Sequence, residues 1–565
     1  MQICPFCGRD WYHVNAQMRA GGDKGRCVRG VTGFGYFGSY DMRMSTVDVT
    51  KRLNTKKSKS IPLAVSVLLA WLAGALFVWA LAPYKVWGLA VVSPAILYAL
   101  LLPQMSGKRA FLIGEAYGMG LWCVGAFWLY TSIHTYGNTP MWLALILIAL
   151  MGLGMGLFHG FLAVLFQRVV GKQPLSFAAL WVLQEWLKTW LFTGFPWLFV
   201  GYAFTEQHWL SSLAPVMGVF AVSFVAVLFA ASIVELARRR AGYVFASVAL
   251  IVVSSVLWLV QPQWTKPKGT PDVSVSLIQG NIPQDLKWLT DYQIETLKIY
   301  ADLTRSEWGR DIILWPESSI PMFQTEAWGF ITEMVKEAKA TGSTWITGIP
   351  YKDEAAFDAK TDKYPPFYNS VIALGTDAKG LYKKQRLVPF GEYIPFEGML
   401  DILPDLAGSQ DIMSYSRGMD NQAPLEVRGH KLGAAICYEV AYPDTTRKNA
   451  IGTDFLLTIS NDAWFGTSAG PLQHLQMVQM RALENGRWFM RATNTGVTAI
   501  IDHEGRIVKR APQFARTVLR GDIQARTGST PYMQLGNYPI LALILVLLLL
   551  SYFGRRAGVQ ARVGR

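Results

Sequence analysis

Apolar residues come in long unbroken runs over the first 260 positions of this chain, and then the rhythm changes. Runs near 61–82, 86–104, 110–133, 140–168, 175–198, 212–236 and 241–261 are mostly apolar, and an eighth lies near 538–553. A helix that crosses a bilayer needs about 20 such residues, so each run is read as a transmembrane span. The second run is short and holds Pro94. Between the seventh and eighth runs the period shortens. Strand-like segments at 273–281, 311–318, 344–351, 368–375, 432–439, 454–462 and 495–502 alternate with helix-like stretches at 291–308, 326–340 and 472–492. That alternation predicts an α/β domain, with turns at Gly429 (VRGHKL) and Gly505 (DHEGRI). The pattern divides the chain into an N-terminal extension (1–59), a seven-helix membrane region (60–261), an α/β domain (262–537), and a last span with its tail (538–565).

Charge refines this picture. The chain is 52% hydrophobic and only 16% charged, yet its net charge is +14. Such a surplus suits nucleic acid binding, but its placement does not, because Lys and Arg cluster beside the apolar runs. Lys51, Arg52, Lys56, Lys57 and Lys59 precede the first run. Lys108 and Arg109, Arg168 and Lys172, Arg238 to Arg240, and Arg555 and Arg556 follow the even-numbered runs. Loops 134–140 and 202–209 carry no Lys or Arg. Basic loops stay in the cytoplasm. Eight spans then place residues 262–537 outside it, in the periplasm of a bacterium with two membranes.

The first 50 residues are rich in Gly and lack any apolar period. They read as a disordered tail or as an extension ahead of a start at Met44. Cys4 and Cys7 have CxxC spacing, and His13 and Cys27 would complete four zinc ligands, but the second pair lacks the usual spacing. Five cysteines, at 4, 7, 27, 123 and 437, form no disulfide framework.

Candidate chemistry gathers at strand ends of the α/β domain. Leu432 to Ile436 form an apolar strand that stops at Cys437. A lone cysteine there is most often a buried small hydrophobe. A thiol at a sheet's edge is also a nucleophile once a base or cation assists it. Glu317 ends IILWPES and Lys384 lies in LYKKQRLVPFGEY, followed by Glu392. Ligands of open α/β sheets bind outside the carboxyl ends of strands. There a carboxylate, an ammonium and a thiol would make an acyl-transfer site. Within the fifth run, Glu185 and Lys188 stand at i, i+3, as a functional intramembrane ion pair or a lock between helices. His474 heads an amphipathic helix with no second His near it, so a structural role is expected. There is no GxxxxGK[ST] loop and no HExxH, so neither cofactor nor metal is expected.

WPES, KxRLVPFGE and CYE, in this order, resemble the Glu–Lys–Cys enzymes of the nitrilase superfamily, over about 270–525. QGNIPQDLKW, LVPFGEYIP, SNDAWFG and EWLKTWLFTGFPW extend the likeness to the bacterial apolipoprotein N-acyltransferases, over about 60–554. The resemblance implies an αββα sandwich on an eight-span helical membrane bundle in the bacterial inner membrane. It implies Glu317 as general base, Lys384 as the cation that steadies the oxyanion, and Cys437 as nucleophile. Lys383 neighbours Lys384, but the Lys–x–Arg–Leu pattern selects Lys384. Glu392 matches a second glutamate that orients the lysine. Tyr438 and Glu439 are expected to shape the acyl pocket, and Trp288 and Trp464 to stand at its mouth. The implied reaction moves the sn-1 acyl chain of a phospholipid, through a Cys437 thioester, to the α-amine of a diacylglyceryl-cysteine on an apolipoprotein. Residues 392–408 are expected to gate lipid entry, with Phe396 and Leu400 in the bilayer surface. Two other readings stay open: a membrane-tethered amidase or nitrilase acting on a small C–N substrate, and a transporter with a periplasmic binding domain.

Overall fold

The computed structural model describes residues 61–358, 364–395 and 414–563. The zinc set at Cys4, Cys7, His13 and Cys27, the Met44 start, and Phe396 and Leu400 of the expected gate lie outside these residues.

Each apolar run carries a helix: Leu63–Phe77, Leu89–Leu101, Gly107–Gly125, Met141–Arg168, Pro174–Leu187, Val219–Ala237, Gly242–Val260 and Tyr538–Val563. Among the described residues, five helical stretches are long and apolar enough to cross a membrane: Leu63–Ala80, Met141–Arg168, Val219–Ala237, Gly242–Val260 and Tyr538–Ala557. The chain is therefore a membrane protein, and by length and composition five of the eight expected spans are candidates to cross the bilayer. The fifth run departs most from expectation. Its helix stops at Leu187, and no α-helix resumes toward 198, because Phe192, Thr193 and Gly194 take positive φ values of 53°, 72° and 86°. Three left-handed residues in a row cannot continue a helix. Glu185 and Lys188 do not pair with each other among the described residues. Glu185 accepts from Trp181 Nε1 and the Val200 N–H, while the Lys188 ammonium sits over the faces of Trp122 and Phe199.

The α/β domain holds fifteen strands among the described residues. In chain order they are β1 (Thr265–Pro267), β2 (Val273–Gln279), β3 (Ile312–Leu314), β4 (Thr344–Lys352), β5 (Phe367–Gly375), β6 (Ala378–Lys379), β7 (Leu381–Lys383), β8 (Leu425–Val427), β9 (His430–Ile436), β10 (Phe455–Ser460), β11 (Phe489–Thr493), β12 (Ala499–Ile501), β13 (Ile507–Arg510), β14 (Thr517–Ile523) and β15 (Arg526–Gly528). One sheet has the order β14-β2-β3-β4-β5-β7 and the other β13-β12-β11-β10-β9-β8-β6, while β1 and β15 form a small separate ladder. At the heart of each sheet three strands run parallel: β2, β3 and β4 in the first, β9, β10 and β11 in the second. Val275, Leu277, Leu314 and Ile346 of one sheet meet Leu432, Ile436, Leu457 and Ile459 of the other in an apolar core. Strands buried on both faces favour near-continuous apolar runs, which IIL of β3 and FLLTI of β10 supply, while β2 buries Ser276 between Val275 and Leu277. Helices Thr290–Arg305 and Trp328–Thr341 cover the first sheet. Helices Pro443–Ala450 and Gly470–Asn485 cover the second. The result is an αββα sandwich. The turns expected at Gly429 and Gly505 are present, joining β8 to β9 and β12 to β13.

The helix expected over 472–492 ends at Asn485, and β11 follows it. Gly486 (φ +58°) caps the helix in the left-handed region, a common helix stop. Helix Gly470–Asn485 is buried on both sides. Leu475, Val478 and Ala482 face the sheet, whereas Met477, Met480 and Leu483 pack into the membrane bundle. Polar contacts add to that seam. Trp197 Nε1 donates to Gln473 Oε1 (2.8 Å), and the Ala82 N–H donates to Gln476 Oε1 (3.1 Å). The Val219 N–H, at the start of a bundle helix, donates to Glu484 Oε1 (2.8 Å), and Glu484 is paired with Arg481 at 2.8 Å.

Candidate active site

The ends of the parallel strands bring the expected residues together. After β3 the chain runs Trp315–Pro316–Glu317, with Trp315 buried and its N–H bonded to the Ile346 carbonyl (2.8 Å). Gly348 on β4 lets this segment pass. A Cβ there would lie 2.5 Å from the Pro316 carbonyl oxygen and 2.7 Å from Glu317 Cα. Asn369 on β5 donates through Nδ2 to Glu317 Oε1 and to Glu392 Oε1, both at 2.7 Å. Lys384 follows β7, and its N–H bonds to the Asn369 carbonyl (2.8 Å). Its buried ammonium reaches Glu392 Oε1 at 2.8 Å and Glu317 Oε1 at 3.3 Å. Lys383 points the other way, as strand alternation requires, and pairs with Asp353 at 2.6 Å. Glu317 Oε2 accepts the Asn461 N–H (2.8 Å), and Glu392 Oε2 the Val388 N–H (2.8 Å).

Cys437 lies where β9 turns into the 3-10 segment Cys437–Ala441. Its φ of +51° is strained for a residue with a side chain. That turn leaves the thiol half-buried at the sheet's edge. Ser460, at the end of neighbouring β10, places Oγ 3.3 Å from Cys437 Sγ and 2.6 Å from Asp462 Oδ1. The carboxylate can only accept, so it takes the single hydroxyl proton. Ser460 therefore offers the sulfur a lone pair, which suits a protonated thiol.

Electrostatics agree with that assignment. Burial pushes the Cys437 thiol up, the Glu317 charge adds to this, and Lys384 opposes both without overcoming them. Burial alone would also raise Glu317, but Lys384, the Asn369 amide, Lys287 and the Asn461 N–H outweigh it and hold the carboxyl below its ordinary value. For Lys384, burial disfavours the charge, yet Glu392 and Glu317 prevail and hold its pKa well above that of a free lysine. The resting site is a carboxylate, an ammonium and a neutral thiol, an arrangement in which a carboxylate can accept a proton from sulfur.

Other residues serve the backbone around these groups. His474 donates from Nε2 to the Cys437 carbonyl (2.9 Å). Burial and then Arg491 lower its pKa, so the ring is neutral and Nδ1 accepts from Arg491 Nη2 (3.2 Å). Arg491 also donates to Asp462 Oδ2 at 2.5 Å. Burial opposes ionisation of Asp462, but Arg491 beside it, with a hydrogen bond from Ser460, holds it well below the usual carboxylate range. Gly496 packs against this carboxylate, where a Cβ would lie 2.4 Å from Oδ2. Glu439 does not form a pocket wall. It is wholly buried, and its oxygens accept from the Ile436, Gln385 and Arg386 N–H groups and from the Tyr382 hydroxyl. It thereby ties the turn at Cys437 to the chain that follows Lys384. Tyr438 is buried against the bundle, and its hydroxyl donates to the Gly194 carbonyl (3.2 Å). Trp288 and Trp464 are 45% and 42% exposed. Sequence reasoning missed Asp462 and Arg491, although Asp462 stands inside the SNDAWFG motif. It also missed Lys287, which is wholly buried beside Glu317.

A two-sheet sandwich with acid, lysine and cysteine at adjoining strand ends defines a carbon–nitrogen hydrolase domain, here seated on a membrane helix bundle. Residues 274–532 match the family described as carbon-nitrogen hydrolase, and residues 73–232 match the apolipoprotein N-acyltransferase N-terminal domain. An apolipoprotein N-acyltransferase of Pseudomonas aeruginosa is 41% identical over 507 residues, covering 88% of this chain and 97% of that protein. That of Photobacterium profundum is 40% identical over 509 residues, covering 87% and 96%. Among solved structures, Saccharomyces cerevisiae Nit3, described as a member of branch 10 of the nitrilase superfamily, aligns at 17% identity with a TM-score of 0.34, covering 45% of this chain and 91% of that one. The chain belongs to the apolipoprotein N-acyltransferase family.

Proposed function

We propose that this protein acylates the N-terminal amine of lipoproteins by a two-step thioester mechanism. The observation that carries the reading is the pairing of an ionised Glu317 with a neutral Cys437 thiol beside the Lys384 ammonium. Cys437 attacks the sn-1 ester carbonyl of a phospholipid while Glu317 takes the thiol proton. The negative charge that develops on the carbonyl oxygen is stabilised by Lys384, which Glu392 and Asn369 hold in place. Collapse expels the lysophospholipid, and Glu317 returns the proton to its leaving oxygen. The α-amine of a diacylglyceryl-cysteine then attacks the thioester, Glu317 accepts a proton from nitrogen, and the amide forms as the thiol is restored. A thioester conserves reactivity only where water is kept away. Trp288, Trp464, Tyr438 and the bundle beneath them supply an apolar surround. In this reading the bundle sits in the bacterial inner membrane and the sandwich faces the periplasm, where both lipid substrates are within reach.

Detergent-solubilised protein, incubated with a phospholipid labelled on its sn-1 chain, should acquire hydroxylamine-sensitive label at Cys437 and none in Cys437→Ala. A diacylglyceryl peptide should then remove the label onto its α-amine. An unlabelled protein that hydrolyses a small amide would overturn this reading in favour of a tethered amidase.

A further inference from the structure

The loop 280–289, between β2 and helix Thr290–Arg305, is fastened to the site at three places. The Asn281 and Ile282 N–H groups bond to Asn494, at its carbonyl (3.0 Å) and Oδ1 (2.8 Å). Gln284 accepts from Asn461 Nδ2 (2.7 Å). Lys287 Nζ donates to the main-chain carbonyl of Glu317 (3.0 Å) and lies 5.9 Å from the Trp288 ring centroid. Lys287 has no exposed surface, and no carboxylate lies within ion-pairing distance of it among the described residues. The Glu317 carboxylate and the Cys437 thiol both favour its charge, against burial.

A count of charge shows what such a lysine does. Glu317 and Glu392 carry two negative charges and Lys384 one positive, a net of −1 in the set that these three form; Glu439, which burial raises only to about 6, is also ionised at neutral pH, but its charge is met by the Ile436, Gln385 and Arg386 N–H groups. Asp462 is balanced by Arg491, because His474 is neutral. Tyr415, which faces Glu392, Glu317 and Lys384, stays protonated as burial and the two glutamates push it up. A site at −1 resists forming a thiolate. With Lys287 charged, the sum is zero.

We propose that Lys287 is a positioning residue of the acyl transfer, a second cation that cancels the surplus negative charge and lets Cys437 give up its proton. The inference rests on the thioester reading above. Burial lowers Lys287 to about 8, against the pull of Glu317 and Cys437. Its charge is therefore present at neutral pH and lost at mildly alkaline pH.

The test uses the full-length protein in detergent. Iodoacetamide alkylation of the Cys437 peptide is followed by mass against pH in wild type, Lys287→Met, Lys287→Gln and Lys287→Arg, with acyl labelling from the phospholipid in parallel. Both neutral variants should alkylate about tenfold more slowly near pH 7, with the rising limb moved about one unit to higher pH. Lys287→Arg, which keeps its charge throughout, should match wild type near pH 7 and alkylate faster than wild type above about pH 8. Equal slowing in all three variants with an unmoved limb would reduce Lys287 to a strut under the Glu317 carbonyl and overturn the proposal. Wild-type rates throughout, or loss of fold in both neutral variants, would also overturn it. A wild-type Cys437 that alkylates but never takes acyl label would instead sink the thioester reading.

Discussion

Two charge networks meet at Cys437 from opposite sides, and they are wired differently. On the side of the first sheet, Glu317, Asn369, Lys384 and Glu392 touch one another and leave their field on the sulfur. On the side of the second sheet, Asp462, Arg491 and His474 are equally buried, but their polar atoms are spent on each other, on Ser460 and on the Cys437 carbonyl. Both networks bury ions at a cost. The first retains a carboxylate that can accept a proton. The second holds a left-handed turn in place. Burial of charge therefore does not by itself mark a reacting group; what matters is where the remaining lone pairs point.

The sharpest way to break this comparison is at the thiol and its base. Cys437→Ala should abolish acyl labelling. Glu317→Gln should slow labelling by about 10²- to 10⁴-fold with little change in melting temperature, as expected for loss of a general base. Labelling of Glu317→Gln at the wild-type rate would remove Glu317 from the chemistry. The second network should fail in a different observable. Asp462→Asn leaves Arg491 charged and buried, which costs about 3–5 kcal/mol and should appear as a fall in melting temperature. The sign with pH follows from the depressed carboxyl of Asp462. Its stabilisation is present above the unfolded pKa of about 4 and is lost as pH falls through the folded value. The gap between wild type and variant should stay constant from about pH 5 to 8 and close in stronger acid. His474→Leu removes one hydrogen bond to the strained turn, worth about 1 kcal/mol, so labelling should slow about fivefold without a shift in its pH profile. The smallest effects are expected at the rim. Trp464→Ala and Trp288→Ala should raise the KM for phospholipid a few-fold and leave kcat nearly intact, given about 1 kcal/mol for a half-exposed ring.

Much of this site is legible in the amino-acid sequence alone. Apolar strands that stop at a polar residue mark Glu317 and Cys437, and alternation along β7 separates Lys384 from Lys383. What escapes the sequence is whatever depends on a loop folding inward. A lysine in a polar loop is ordinarily solvated, and nothing in QDLKW says that the chain will seal Lys287 beneath Trp288. Glu439 stands two residues after Cys437 and so invites a role in the pocket, but a 3-10 turn swings it back onto backbone amides. The helix expected over 472–492 overran because WFMRAT suits either period. Only the Asn485–Gly486 stop decides between them. The fifth apolar run misled for the converse reason. LFTGFPW is greasy enough for a span, yet its backbone cannot be helical at Phe192, Thr193 and Gly194.

Helix Gly470–Asn485 limits how freely this enzyme can be taken apart. In a free-standing sandwich the outer helix would turn a polar face to water. Here that face carries Met477, Met480 and Leu483, and its Glu484 closes the start of a bundle helix. The same helix carries His474, which reaches the Cys437 carbonyl. An α/β domain excised near residue 262 would have a raw outer wall directly behind Cys437. Chimeras between relatives should therefore exchange the helix together with the bundle it seals, because the modular boundary runs through the sandwich rather than along the linker.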